Sequence, residues 1–294
     1  MENNFKMGVM YGLGAYLLWG VLPVYWKLLQ AVPALEILAN RFIWSAVFVF
    51  AILAATGKLR LFISETKAVF STFKTGAVMV AAAVTISFNW GIFIWAVEEG
   101  RIVETSMGYY INPLMSVLFG MVFLKERLDK LQTIAVLCAC VGIGVIIVHN
   151  GSLPWVSVSL AVTFSLYGLF KKLISVSALT SIMLETLLIS PVALGYMYHL
   201  ASGSGNTYQS GDAVLIALLV CAGAVTATPL LLFTSCAKLL PLKLVGFMQY
   251  LSPTVTLLLG IFVYGEAFTT VHFTAFSCIW LGLLFFTWSQ IRSK

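Results

Sequence analysis

Apolar runs of roughly 20 residues, separated by short polar breaks, recur ten times along the 294-residue chain. They cover 8–29, 35–56, 72–96, 103–124, 131–149, 153–170, 180–200, 213–235, 243–264 and 270–290. Each is about the length a helix needs to cross a hydrocarbon core some 30 Å thick. The connectors are only a few residues long except near 57–71 and 201–212, which leaves no room for a soluble domain. This pattern predicts an all-α polytopic membrane protein with ten transmembrane helices. The opening segment Met1–Met7 offers no small-residue cleavage site, so the first run reads as a helix and not as a removable signal.

The pattern also repeats itself. Tyr110-Ile-Asn-Pro-Leu-Met-Ser-Val-Leu-Phe-Gly120 reappears 140 positions later as Tyr250-Leu-Ser-Pro-Thr-Val-Thr-Leu-Leu-Leu-Gly260. Without a gap, Tyr110/Tyr250, Pro113/Pro253, Leu118/Leu258, Gly120/Gly260, Glu126/Glu266, Ala135/Ala275, Cys138/Cys278 and Gly142/Gly282 are identical pairs. Chance would supply roughly three in so skewed a composition. The chain divides near Pro154-Trp155 into residues 1–150 and 151–294, five helices each. Because five is odd, the second unit starts on the opposite face. The prediction is two inverted five-helix repeats with a cavity near mid-membrane at their interface.

Composition sharpens this picture. The chain is 61% hydrophobic and 10% charged, with a mean hydropathy of +1.00, far more apolar than a soluble domain. Its net charge of +6 reports topology instead of nucleic-acid binding. With a cytoplasmic amino terminus, Lys6, Lys58, Arg60, Lys67, Lys74, Lys125, Arg127, Lys130, Lys171, Lys172, Lys238, Lys243, Arg292 and Lys294 fall inside, which is 14 of the 17 basic residues. By the positive-inside rule both termini are cytoplasmic. The five cysteines lie within apolar runs or, for Cys236, directly at the end of one, and read as small hydrophobes.

Charged residues within spans are costly to insert and are the first functional candidates. Glu36 and Arg41 lie on span 2. Glu185 lies about a turn and a half inside span 7, where it either pairs with a cation such as Arg41 or a lysine, or serves a coupling or substrate role. Lys171 and Lys172 end span 6 and read as snorkelling or, for Lys171, as a charge partner. Uncharged polar and aromatic residues suit a cavity that must release its solute: Trp44, Asn89, Trp90, Tyr110, Asn112, Gln249 and Tyr250 join Arg41 as candidate cavity residues. Tyr25, Trp26, Trp95 and Trp155 sit near span ends and read as interfacial belt residues. Pro113 and Pro253 interrupt spans 4 and 9 as candidate helix kinks, either hinges or static bends. Glu126 and Glu266 land at opposite faces, where helix capping suits them better than solute contact. Metal, cofactor and catalytic sets are not visible: the three histidines are isolated, and neither a nucleophile elbow nor a phosphate-binding glycine loop occurs.

Several stretches carry a resemblance. Leu18-Trp-Gly-Val-Leu-Pro-Val-Tyr25, Glu36 with Arg41-Phe-Ile-Trp-Ser45, Asn89-Trp90, Gly108-Tyr-Tyr-Ile-Asn-Pro-Leu114, Pro154-Trp155, Tyr167-Gly-Leu-Phe-Lys-Lys172, Leu184-Glu185, Thr226-Ala-Thr-Pro-Leu230 and Gly246-Phe-Met-Gln-Tyr-Leu-Ser-Pro-Thr254 resemble the RarD permeases. These belong to the EamA group of the drug/metabolite transporter superfamily. Asn40 and Lys171 depart from the pattern, where histidine and arginine are expected. The resemblance implies a carrier of the bacterial inner membrane with a central cavity shared by both halves. The function expected is therefore a secondary transporter, an exporter of a small organic metabolite or drug-like solute, with a proton as candidate co-substrate and the bilayer as its surroundings. A non-transporting membrane sensor or assembly subunit is the alternative. Neither a cofactor nor a nucleic-acid partner nor an enzymatic activity is expected, and oligomeric state is left open.

Overall fold

Helix boundaries follow from capping chemistry at the polar breaks. The computed structural model describes residues 2–125, 128–203, 205–240 and 248–292. These form α1 (Glu2–Leu28), α2 (Ala34–Ala55), α3 (Leu59–Phe70), α4 (Phe73–Glu98), α5 (Ile102–Leu124), α6 (Lys130–Asn150), α7 (Trp155–Lys172), α8 (Ala178–Ser202), α9 (Thr207–Ser210), α10 (Ala213–Leu239), α11 (Leu251–Leu258) and α12 (Thr270–Arg292). Asp129 and Gln132 close a capping box at the start of α6, and Ser177 and Asp212 cap α8 and α10. Such side-chain acceptors satisfy backbone donors that have no partner within the helix.

Eight helices are long and apolar enough to cross a membrane, and two shorter apolar segments, Trp155–Lys171 and Leu251–Val263, complete the set. The ten agree with the expected runs to within a few residues, except that the ninth run begins among residues 241–247, outside the described ones. No strand occurs among the described residues. Large apolar side chains such as Met10, Phe88, Val192 and Phe262 point outward, as lipid-facing surface requires.

Two helices occupy the long connectors, which hydropathy alone leaves as breaks. α3 is amphipathic: Val69 is buried and Phe62 half-buried, while Leu61, Ile63, Ser64 and Lys67 are exposed. At 12 residues it is too short to span. Around Pro253 the segment is irregular. Met248 is helical, a turn follows at 249–250, and Pro253 lies in the first turn of α11, where its missing N–H would be unsatisfied in any case. A π-helical turn follows at Leu259–Val263. Pro113 does lie within α5, and Pro23, Pro191 and Pro229 lie within α1, α8 and α10.

The most extensive helix contacts join a helix of the first five spans to one of the last five. They are α6 with α12, α5 with α7, α1 with α10, α2 with α8 and α10, and α4 with α7. Paired by order, first with sixth and so on, α1–α10 corresponds to α7–α4, and α5–α7 to α11–α1. Contacts between connectors fall into two groups. At one end the Glu36 carboxylate accepts from the Thr207 amide (2.7 Å), Lys27 donates to the Glu98 carbonyl (3.2 Å) and Glu266 reaches the start of α5. At the other, Glu65 accepts from the Ser177 amide (2.9 Å) and Asp129 from Ser289. Successive connectors thus alternate between two ends of the bundle.

Candidate functional site

The Arg41 guanidinium lies in the interior of the bundle. Arg41 sits seven residues into α2, about 10 Å along the axis, and is 4% exposed. Its Nε donates to Thr226 Oγ1 on α10 (2.8 Å). The guanidinium carbon lies 3.8 Å from the ring centroid of Trp90 on α4 and 5.1 Å from that of Trp26 on α1, and Trp90 stacks on Phe42 at 5.3 Å. Cation–π contact offsets part of the cost of burying the charge, by about 2 kcal/mol when desolvated. Arg41 Nη1 has no hydrogen-bond partner.

Asn89 sits beside Trp90 and is fully buried. It donates to the Leu160 carbonyl (3.1 Å) and Thr163 Oγ1 (2.9 Å) on α7, and accepts from the Tyr109 hydroxyl (3.2 Å) on α5. Tyr109 is within electrostatic reach of Arg41. Arg41, Asn89 and Trp90 are therefore brought together on α2 and α4 of the first half, and Thr226 on α10 and Thr163 on α7 tie them to the second.

From Tyr109 a row of rings descends along α7. Tyr109 meets Phe164 at 5.8 Å, and Phe164 meets Tyr167 at 6.0 Å. Positions 164, 167 and 171 share one helix face. The row ends at Glu185, which is 2% exposed and accepts from Tyr167 (3.0 Å), Lys171 (2.8 Å) and Ser181 (2.8 Å). The ion-pair partner of Glu185 is thus Lys171 and not Arg41, and Lys171 does not simply snorkel.

The remaining candidates lie elsewhere. Tyr110 and Tyr250 meet with ring centroids 6.4 Å apart and planes 15° apart. Their stack packs on Phe276 and Trp280 in a separate core cluster, away from Arg41. Gln249 precedes Tyr250 in the chain and is half-buried beside it. Asn112 Oδ1 accepts from Ser165 (2.6 Å), tying α5 to α7. Trp44 donates to Tyr208 (2.8 Å), whose hydroxyl donates to Asn40. Glu36 holds the amide of Thr207 at the start of α9, and Glu266 accepts from the amides of Ile102 (2.7 Å) and Val103 (2.8 Å) at the start of α5. Burial pushes the Glu266 carboxyl above the ordinary range, against the pull of those two amides. Glu126 and the side chain of Lys172 lie outside the described residues.

The sequence reading misplaced Trp26. Near its helix end it looked like a belt residue, yet it is fully buried against Arg41. The spacing Trp19, Leu22, Trp26 and Leu29 was the available signal, because it marks one inward face of α1. Thr226, Thr163 and Tyr109 were also not singled out as site residues; short polar side chains in an apolar run carry little signal until a partner is known.

Comparison with known proteins places this arrangement in context. The profile of the EamA-like transporter family matches residues 6–148. The chain is 45% identical to the uncharacterized transporter YojE of Bacillus subtilis over 98% of its own length and 96% of the relative's. It is 38% identical to the protein RarD of Escherichia coli over 98% and 96%, and 32% identical to the chloramphenicol-sensitive protein RarD of Pseudomonas aeruginosa over 97% and 95%. A solved crystal structure shares the fold with a TM-score of 0.62 at 18% identity, covering 98% of this chain and 99% of that one. Near full-length identity at this level makes the chain a member of the RarD group of EamA-like transporters, a multi-pass membrane transporter.

Proposed function

We propose that this protein is a secondary transporter that moves a small organic solute across the bacterial inner membrane by alternating access, with the solute held at Arg41, Trp90 and Asn89. The observation that carries this reading is the buried Arg41 itself. A cation at this depth costs at least about 2.5–3.5 kcal/mol to insert, and such residues belong in transport sites or water-filled paths. Thr226 and Thr163, the partners of Arg41 and Asn89, lie on helices of the second half, and an inverted-repeat carrier binds its load where its halves meet. The match of the family profile to residues 6–148 supports a first unit of five helices, 1–150, followed by a second, 151–294. The clustering of basic residues supports cytoplasmic termini.

Polar ties flank the site on both sides. Toward one end lies the Asn40–Tyr208–Trp44 chain; toward the other lies the Lys171–Glu185–Tyr167 cluster. In this reading the first tie, which joins α2 to α9 across the two halves, opens as the halves rock about the site. The second lies within the second half, where the Lys171 ammonium at 2.8 Å and two hydroxyl donors hold Glu185 and fix α7 against α8. Solute counterflow in liposomes tests the proposal. Wild-type protein exchanges its solute, and Asn89→Ala and Trp90→Ala lose most of that exchange while still unfolding cooperatively as folded membrane proteins. Unchanged exchange in both variants overturns the site assignment.

A further inference from the structure

We infer that the transported solute carries a carboxylate on an aromatic or apolar frame, and that Arg41 receives the carboxylate. This rests on the transport reading above. Among the described residues only four buried side-chain polar atoms lack a hydrogen-bond partner, and three are donors on or beside this arginine: Arg41 Nη1, Trp26 Nε1 and Ser45 Oγ. Ser45 lies one turn along from Arg41 on α2, and the Trp26 ring is 5.1 Å from the guanidinium. Each is a group that a packed interior normally satisfies.

The charge is also uncompensated. Arginine stays protonated in proteins, yet the ion pairs of the described residues are Arg101–Glu104 and Lys171–Glu185, and neither involves Arg41. Among the described residues its one side-chain hydrogen bond goes to a neutral hydroxyl. Two indole rings and a threonine offset only part of the desolvation, and an acceptor with negative charge supplies what is missing. A carboxylate matches the planar fork of a single guanidinium, whereas a doubly charged phosphate would call for further cations. The edge of the Trp90 ring, whose faces hold Arg41 and Phe42, and the neighbouring Tyr109 then contact the apolar frame of the solute.

The test uses matched acid and amide pairs on purified protein: 3-phenylpropionate against 3-phenylpropanamide, and indole-3-acetate against indole-3-acetamide. Thermal-shift titration is expected to give at least one acid bound tenfold or more tightly than its amide, with the preference abolished in Arg41→Gln. Arg41→Lys, which keeps the charge and loses the fork, is expected to retain a reduced preference and covers the case in which Arg41→Gln does not fold. Amides that bind as well as the acids, or acids that produce no shift, overturn the inference. Counterflow separates it from the transport reading. Exchange of amides without acids leaves a carrier and removes the carboxylate site, while acid binding with no exchange of any tested solute leaves the site and removes the carrier.

Discussion

Gly142 and Gly282 make the same contact in exchange. A β-carbon on Gly142 would fall 2.7 Å from the Ala275 carbonyl oxygen, and one on Gly282 would fall 2.7 Å from that of Ala135. Cys278 lies at 3.3 Å from the first and Cys138 at 3.2 Å from the second. Each helix presents to its counterpart the surface it receives, which is the signature of a two-fold relation. Ala135, Cys138 and Gly142 are three of the positions that the 140-residue repeat duplicates, so at this seam the repeat is an interface pairing with itself.

Alanine at either glycine therefore meets backbone and not a yielding side chain. Gly142→Ala and Gly282→Ala are expected to destabilise the protein by about 1–3 kcal/mol each. Their effects should fall short of additive in the double variant, since the first shift opens the same seam. Thermal unfolding in detergent gives the numbers, and a neutral Gly142→Ala would show that the helices separate without cost.

Removing Lys171 leaves Glu185 buried beside only neutral donors. Lys171→Met is expected to lower stability by about 1–3 kcal/mol, below the usual range for a buried pair because Lys171 is 30% exposed. The double variant Lys171→Met/Glu185→Leu should recover part of that loss. Unfolding of the four members of the cycle checks this, and a double variant weaker than the sum of the singles would refute the pairing.

Glu65 ties α3 to the start of α8. Desolvation raises its carboxyl, but hydrogen bonds from Thr180 and Ser177 outweigh it and hold the group below 4.5. A carboxyl depressed in the folded state contributes stability above its ordinary value and loses it as pH falls through the folded value. Glu65→Gln should therefore melt below wild type at pH 7, with the gap closing beneath about pH 4. Melting curves taken across this range decide the matter; a gap that widens in acid has the wrong sign.

Tyr109→Phe deletes one hydroxyl, which donates to Asn89 at 3.2 Å, and leaves the ring contacts with Phe93 and Phe164. Stability should change by no more than about 1 kcal/mol. Transport should fall several-fold, because Asn89 then loses one of the bonds that orient it beside Trp90. Equal flux in the two proteins would place Asn89 outside the transport step.

The fold was legible because membrane insertion is a local rule: each span must be apolar over its own length and satisfy its own backbone, so hydropathy counts the helices one at a time. The repeat was legible for the same reason, and its two tyrosines, Tyr110 and Tyr250, stack on one another in the bundle. Which polar residues share a site depends on contacts such as Arg41 to Thr226, 185 positions apart, and on which face of α1 turns inward. Span-end position misled at Trp26 because depth along a helix says nothing about direction around it. Helix rotation and pairing are set by close packing between helices, at seams such as Gly142 with Ala275, and that information resides in the assembled bundle. Sequence alone determined an apolar ten-span chain written twice; the tertiary structure decided that its buried arginine stands among unpaired donors, because only packing fixes which side chains are left without partners.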